Sequence, residues 1–314
     1  MYKHRETLLP GVKLFFKFNP PSWLYSISRA INSTFYSLPL IGIGSSLNRY
    51  ENSFSLYPSS FDRDLYKNLP NSHSAQFLNL GSGSFSHPMW LNLDYPSQSK
   101  LYQHVQGSPG KDYLPVDLSC RDLVLPFKSS SVQLIYCSHV LDHLEDYMIE
   151  NIFREVKRLL SPSGVFRIVV PNHRLSFWHL KCNTQYLSTA ALDEQSIQEL
   201  IVYTASHLFS DLASSSAQVL FNYFKESDFS INHFEEFVKR DYPQSFFQFN
   251  PKAPNRVITN IDFKRLGLLC ESIGLSVLGF PFANVSSVPP FRNQFLFDNT
   301  ESHYSSYYDI VNCL

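Results

Sequence analysis

The chain has 314 residues, of which 44% are apolar and 15% aromatic but only 17% charged, against roughly 25% charged in an average soluble domain. That excludes a disordered tail or a charged coil and leaves a globular chain with a sizeable core. Its 26 basic and 27 acidic side chains give a formal charge of −1, so there is no overall basic field to hold a phosphate backbone, and nucleic acid is not expected as a partner.

Residues 1–72 form a first zone. Lys3, Arg5, Lys13, Lys17, Arg29 and Arg49 stand against Glu6 alone in residues 1–50, an excess of +5 that leaves −6 for the rest. Phe15, Phe16, Phe18, Trp23 and Tyr25 interleave with these charges, and Pro20-Pro21, Pro39, Pro58 and Pro70 punctuate the zone. The expectation is an N-terminal helical arm, either packed over the rest of the protein or a partner subunit, or resting on a membrane surface through residues 1–50. No signal peptide or membrane span is expected, because the least polar stretch, 31–47, is broken by Asn32, Ser33, Ser37, Pro39 and Ser45.

Residues 73–171 alternate short apolar runs with turn signals. Gln76 to Leu80 and Trp90 to Asp94 read as buried strands, and Val116-Asp117-Leu118 as a third short one. Val132 to Ser138 is the next. Leu144, Met148, Ile152, Val156 and Leu159 then draw an apolar stripe on a helix, with Lys157 and Arg158 in its last turn and Ser161 to Gly164 as its stop. Val165 to Val170 follows as a nearly continuous apolar strand. Strand, helix, strand in this order implies a parallel sheet covered by helices. Residues 172–256 are too many for an ordinary connection and read as a helical insertion, a lid or substrate platform. One helix is expected over Ile197 to Leu212 and another over Val219 to Phe224; Phe246 to Phe249 could stack on a flat ligand face. In 257–314, Phe263, Leu266, Cys270 and Ile273 mark a helix with Thr259 as a cap and Gly274 as a stop. Strands are expected at Leu275 to Leu278, Phe295 to Phe297 and Tyr307 to Val311, with short loops that suggest an antiparallel edge.

Five cysteines (Cys120, Cys137, Cys182, Cys270, Cys313) form no C-x-x-C pair, which argues against a disulfide framework or zinc knuckle and for a cytoplasmic protein. Gly81 and Gly83, directly after a buried strand, let the backbone pass close to a ligand. Asp94 ends the next strand, where a carboxylate can accept both hydroxyls of a ribose, and Asp117 lies on the same rim; each could also be a cap or surface group. A dinucleotide fingerprint needs a third glycine opening a full helix. Here Ser86 and Pro88 occupy that region and too few residues separate Gly83 from Leu91, so a nucleoside ligand without a pyrophosphate fits better.

The ordered set Leu78-Asn79-Leu80-Gly81-Ser82-Gly83, Leu91-Asn92-Leu93-Asp94, Asp117-Leu118 with Leu125-Pro126-Phe127, Ser138-His139-Val140-Leu141-Asp142-His143-Leu144, Arg154-Glu155-Val156 and Ser161 to Gly164 resembles class I S-adenosylmethionine-dependent methyltransferases. The likeness is to the type 11-like domain, in a branch with a shortened first helix. It implies an α/β, Rossmann-like, mostly parallel seven-stranded sheet with an antiparallel edge strand, and S-adenosyl-L-methionine as cofactor. It also implies roles: Gly81, Ser82 and Gly83 against the methionine part, Asp94 on the ribose, Asp117 and Leu118 at the adenine, Ser138 and His139 near the sulfonium. Asn79 departs from the acidic residue many members place there. The likeness divides the chain into an arm (1–72), a cofactor-binding half (73–171), the insertion (172–256) and a C-terminal part (257–314).

His139 and His143 approach an H-x-x-E-H metalloprotease pattern, but the match needs Glu and a continuous helix, so no metal is expected. His143 is the candidate general base, since a hydroxyl acceptor must lose a proton on methylation. The expected activity is methyl transfer, as O-methylation, to a small-molecule or glycan-linked acceptor; the alternative is an inactive methyltransferase-fold binding or scaffold protein. The expected location is cytoplasmic, with membrane association on the cytoplasmic face as an option.

Overall fold

The structure, a computed structural model, describes residues 11–39, 41–49, 51–69, 76–96, 103, 105–178, 236, 239–240, 244–252, 254, 256–300, 302 and 304–313. The helices read at 197–212 and 219–224 lie outside them. In chain order the elements are β1 (Val12–Phe15), α1 (Ser22–Thr34), β2 (Ile43–Asn48), β3 (Ser53–Pro58), α2 (Ser59–Tyr66), β4 (Gln76–Leu80), β5 (Trp90–Asp94), β6 (Tyr113–Pro115), β7 (Val132–Ser138), α3 (Asp146–Leu159), β8 (Leu160–Pro171), α4 (Phe263–Ile273), β9 (Leu275–Phe280) and β10 (Ser305–Asn312).

Seven strands make one sheet in the order β6-β5-β4-β7-β8-β10-β9. The pairs from β6 to β8 are parallel, while β10 runs antiparallel to both β8 and β9. The antiparallel strand therefore lies one place in from the edge, and β9 closes the sheet. Alternation along each strand sends side chains to two buried faces. Leu78, Leu80, Ile135, Cys137, Phe166, Ile168 and Val170 meet Met148, Ile152, Phe153 and Val156 of α3 and Leu266 and Cys270 of α4. Phe77, Trp90, Leu134, Tyr136, Val165 and Val169 face the other way, against Tyr36, Tyr57, Tyr66, Phe291 and Phe297. Burial on both faces is why these strands read as continuous apolar runs.

The N-terminal zone is not a purely helical arm. Its strands form a three-stranded antiparallel sheet, β1-β3-β2, with α1 and α2 around it. Serines dilute its apolar pattern, yet Ser45, Ser53 and Ser55 are buried, and Ser45 is satisfied by Ser28 and by both ends of the Asn32 amide. Tyr57 and Tyr66 of this zone belong to the core of the main sheet, so the zone packs over the body as one of the two sequence readings expected.

Three local expectations shift. The third strand is β6, at Tyr113–Pro115, and Val116-Asp117-Leu118 follow it. Phe295 to Phe297 form no strand: Asn293 turns the chain there, its carbonyl accepting from the amides of Leu296 and Phe297 and its side chain from that of Phe295. The cap of α4 is Asp262, whose carboxylate accepts from Arg265 N at 2.8 Å, rather than Thr259; Gly274 ends the helix at φ +72° as expected. Arg167 of β8 is fully buried between Asp298 and Asp309, an ion network inside an otherwise apolar layer.

Candidate functional site

The site is built at the C-terminal ends of β4, β5 and β7. Parallel neighbours β4 and β5 are joined only by residues 81–89, which turn without forming a helix. The reversal begins at Gly81 (φ +68°), where an added Cβ would come within 2.2 Å of Val140 Cγ2. Glycine is thus required twice there, by conformation and by the turn after β7 pressing on it. Gly83 also has positive φ, +51°, but an added Cβ would meet nothing within 4 Å. The loop borders open space at Gly83.

Asp94 closes on this loop. Gly83 N donates to Asp94 Oδ2 at 2.8 Å, Ser82 Oγ lies 3.4 Å from the same oxygen, and Tyr95 N donates to Oδ1 at 2.8 Å. Burial raises the carboxyl's pKa, and donors from Gln106, Gly83, Tyr95 and Ser82 oppose that rise. An ionised Asp94 held by such donors keeps acceptor capacity for further hydroxyls. Asn79 is committed elsewhere: its amide lies 3.4 Å from Asn92 Oδ1, its register partner, and Asn92 Nδ2 donates to Phe85 O at 2.7 Å. The residue that replaces an acid supports the loop from beneath.

The loop is also held from outside, by a set of groups that sequence reasoning missed. Asn32 of α1 donates to Ser86 O at 2.7 Å, and Ser84 Oγ donates to Leu47 O at 3.2 Å. His87 Nδ1 accepts from Met89 N, so Nε2 carries the proton that faces Asp62 Oδ2 of α2 at 2.7 Å. Asp62, fully buried, also accepts from Tyr36 and Asn293. Its partners come from three separated parts of the sequence, and only burial of a carboxylate at a helix start could have hinted at the cluster.

Beyond β7 the chain makes a turn. His139 has φ +52°, donates its N–H to Val169 O, and its Nε2 is 2.9 Å from Ser305 Oγ. A 3-10 turn covers only Leu141–His143, so His139 and His143 do not share a helix as the metalloprotease pattern requires. Asp142 is buried, and its carboxylate oxygens have no hydrogen-bond partner among the described residues; Oδ2 is 3.7 Å from His143 Nε2. His143 Nδ1 is likewise buried and unpartnered. Burial pushes the Cys137 thiol well up, and the nearby Asp142 charge adds to that, so this cysteine is no nucleophile.

The structure thus joins Gly81, Ser82, Gly83 and Asp94 directly, and links Gly81 to the Ser138–His143 turn through Val140. Asp117 stands apart, accepting from Ser119 N and Oγ, and Leu118 is a buried core residue. Tyr203, His207 and His233 lie outside the described residues. A cleft of about 270 Å³ between the N-terminal sheet and 283–302, lined by Lys13, Glu51, Asn284 and Asp298 among others, includes none of the rim residues.

Residues 90–168 match the family model described as a methyltransferase domain. A comparison with curated protein sequences gives no match. Among solved structures, PKMT2 from Rickettsia typhi is 14% identical over 80% of this chain and 52% of its own, with a TM-score of 0.40. This chain therefore spans about half that protein's length. An S-adenosylmethionine-dependent methyltransferase from Mesorhizobium loti is 27% identical over 35% of this chain and 52% of its own, TM-score 0.25. YcgJ from Bacillus subtilis is 11% identical over 81% and 98%, TM-score 0.37. These superpositions are loose and add nothing to what the sheet order establishes.

Proposed function

We propose that this chain, whose residues 90–168 match the methyltransferase-domain family model, is a class I S-adenosylmethionine-dependent methyltransferase that transfers a methyl group to an oxygen of a small or glycan-linked acceptor. The observation that carries this reading is the glycine loop joined to Asp94 through Gly83 N, on the rim where open α/β sheets take their ligands. The residues fit the cofactor: the space beside Gly83 is open, and Asp94 retains lone pairs for ribose hydroxyls.

In this reading Gly81, Ser82 and Gly83 hold the methionine part, Asp94 the ribose, Asp117 and Leu118 the adenine, and Ser138 and His139 border the reacting end. When bound, S-adenosylmethionine supplies a methyl already activated on a sulfonium. The chain's own task is to align the acceptor, exclude water and receive a proton. His143 takes that proton from the acceptor hydroxyl, and the buried Asp142 carboxylate lies 3.7 Å from its Nε2. A candidate proton acceptor at His143, beside Asp142, is what supports a hydroxyl as the acceptor.

Calorimetric titration with S-adenosylhomocysteine tests the binding half. The native chain binds, and Asp94→Ala weakens binding by about tenfold or more; no binding to the native chain, or unchanged affinity in the variant, sinks the reading. Methyl transfer from labelled donor to hydroxylated sugar acceptors tests the rest. His143→Gln lowers kcat by about a hundredfold or more with affinity for S-adenosylhomocysteine retained, whereas a scaffold protein binds the ligand and transfers nothing.

A further inference from the structure

The N-terminal unit has an inner and an outer side. Tyr57 on β3 points into the core of the main sheet, while the opposite face of the same three-stranded sheet carries Leu47 and Phe54, covered by Leu24 and Tyr25 of α1. Register places Leu14 beside Phe54 and Val12 beside Leu56, so both β1 side chains project on the face where α1 lies. Neither is covered: Leu14 is 51% and Val12 58% exposed.

The outer flank of α1 is apolar too. Trp23, Ile27 and Ala30 follow at helical spacing and are exposed, Trp23 by 60%, and Phe18, between β1 and α1, is 74% exposed. A soluble protein does not ordinarily collect large apolar groups on one outward face without a partner for them. Charge identifies the partner. Residues 11–49 contain Lys13, Lys17, Arg29 and Arg49 and no acidic residue; Lys13 pairs with Glu51, and Lys17 Nζ lies 5.7 Å above the Phe18 ring. Lys13 projects from the other face of β1 and Arg29 donates to Val105 O at 3.0 Å, so Lys17 is the charge beside the exposed rings; a second copy would set only another lysine against it, whereas an anionic surface complements it.

We propose that this face docks on an anionic phospholipid bilayer, with Leu14, Phe18, Trp23 and Ile27 entering the headgroup boundary and the Lys17 ammonium at the level of the lipid phosphates. The inference goes beyond methyl transfer and does not rest on it.

Co-flotation of the intact chain with vesicles of phosphatidylcholine alone, and of phosphatidylcholine with phosphatidylserine, is the test, with light scattering after size exclusion run in parallel. The chain floats with the phosphatidylserine vesicles, less at high salt, and little with phosphatidylcholine. Lys17→Glu lowers the bound fraction about tenfold, and Phe18→Ser with Trp23→Ser abolishes flotation. Because all three positions are exposed, melting temperature and S-adenosylhomocysteine affinity stay at native values. The proposal is overturned if the intact chain does not float with anionic vesicles or if flotation survives both variants. A dimer that the same variants dissociate would assign the face to a second copy and overturn it as well.

Discussion

Gly81 and Gly83 share a left-handed backbone and differ in what surrounds them, and that difference separates stability from binding. Gly81→Ala drives a Cβ into Val140 as well as straining φ, so a loss of about 3 kcal/mol or more is expected in urea unfolding, combining overpacking and strain. Gly83→Ala meets no protein atom and costs about 1 kcal/mol from φ alone, yet its methyl enters the open space of the proposed ligand site. Its signature is near-native stability with weakened S-adenosylhomocysteine binding; equal effects of the two substitutions on stability and affinity would contradict the assignment. His173, just past β8, is a second residue whose surroundings set its chemistry. Burial, reinforced by Arg265 and opposed by Asp142 and Asp262, lowers its pKa from 6.5 to about 4. Between those values the unfolded chain binds the extra proton, so stability declines as pH falls from about 6.5 towards 4, by up to about 3 kcal/mol. Urea midpoints measured across that range should show the decline, and His173→Gln should flatten it.

At the scale of elements, the glycine loop stands where a crossover helix commonly joins parallel strands, and α1, β2 and α2 brace it in that helix's absence. The Asp62–His87 pair is the fully buried one of these braces. Asp62→Asn should lower stability by about 2 kcal/mol and weaken S-adenosylhomocysteine several-fold. Tyr66→Phe serves as its control: it removes the 2.8 Å bond to Trp90 Nε1 in the same layer, and should lower stability while leaving affinity unchanged. The elements differ in how openly the sequence announced them. β4, β5, β7 and β8 were legible because burial on two faces demands unbroken apolar runs, and α3 and α4 because each buries a single stripe. The N-terminal strands were not, because Ser45, Ser53 and Ser55 are buried without adding to an apolar pattern, Ser45 through its bonds to Ser28 and Asn32. Phe295 to Phe297 misled for the opposite reason: three apolar residues in a row satisfy a strand pattern, but here a turn set by Asn293 delivers two of their rings to the Trp90 layer. Of the site, Gly81, Gly83 and Asp94 could be read from their places after strands. The Asp62 cluster could not, since its members are brought together only by the packing of the N-terminal unit on the sheet.

For the whole molecule, the main sheet has two covers of different origin. One is α3 and α4; the other is shared by the N-terminal unit and the 289–297 segment. A chain starting at Ser72 would bare Phe77, Trp90, Leu134 and Tyr136 along with the loop's external bonds, so it should aggregate or bind a hydrophobic dye where the intact chain elutes as a discrete species. A well-folded, dye-free truncated chain would show that the N-terminal unit is dispensable to the core. The strand order adds a demand on timing. β8 receives β10 along its outer edge, yet β10 begins more than a hundred residues after β8 ends. On a ribosome adding roughly 5–20 residues per second, that edge waits on the order of ten seconds for its partner. During synthesis the half-built sheet therefore carries an open hydrogen-bonding edge rich in Val, Ile and Phe, the kind of surface that strand-capping chaperones shield. Slowing translation between β8 and β10 should lower the yield of soluble protein more than slowing it before β4.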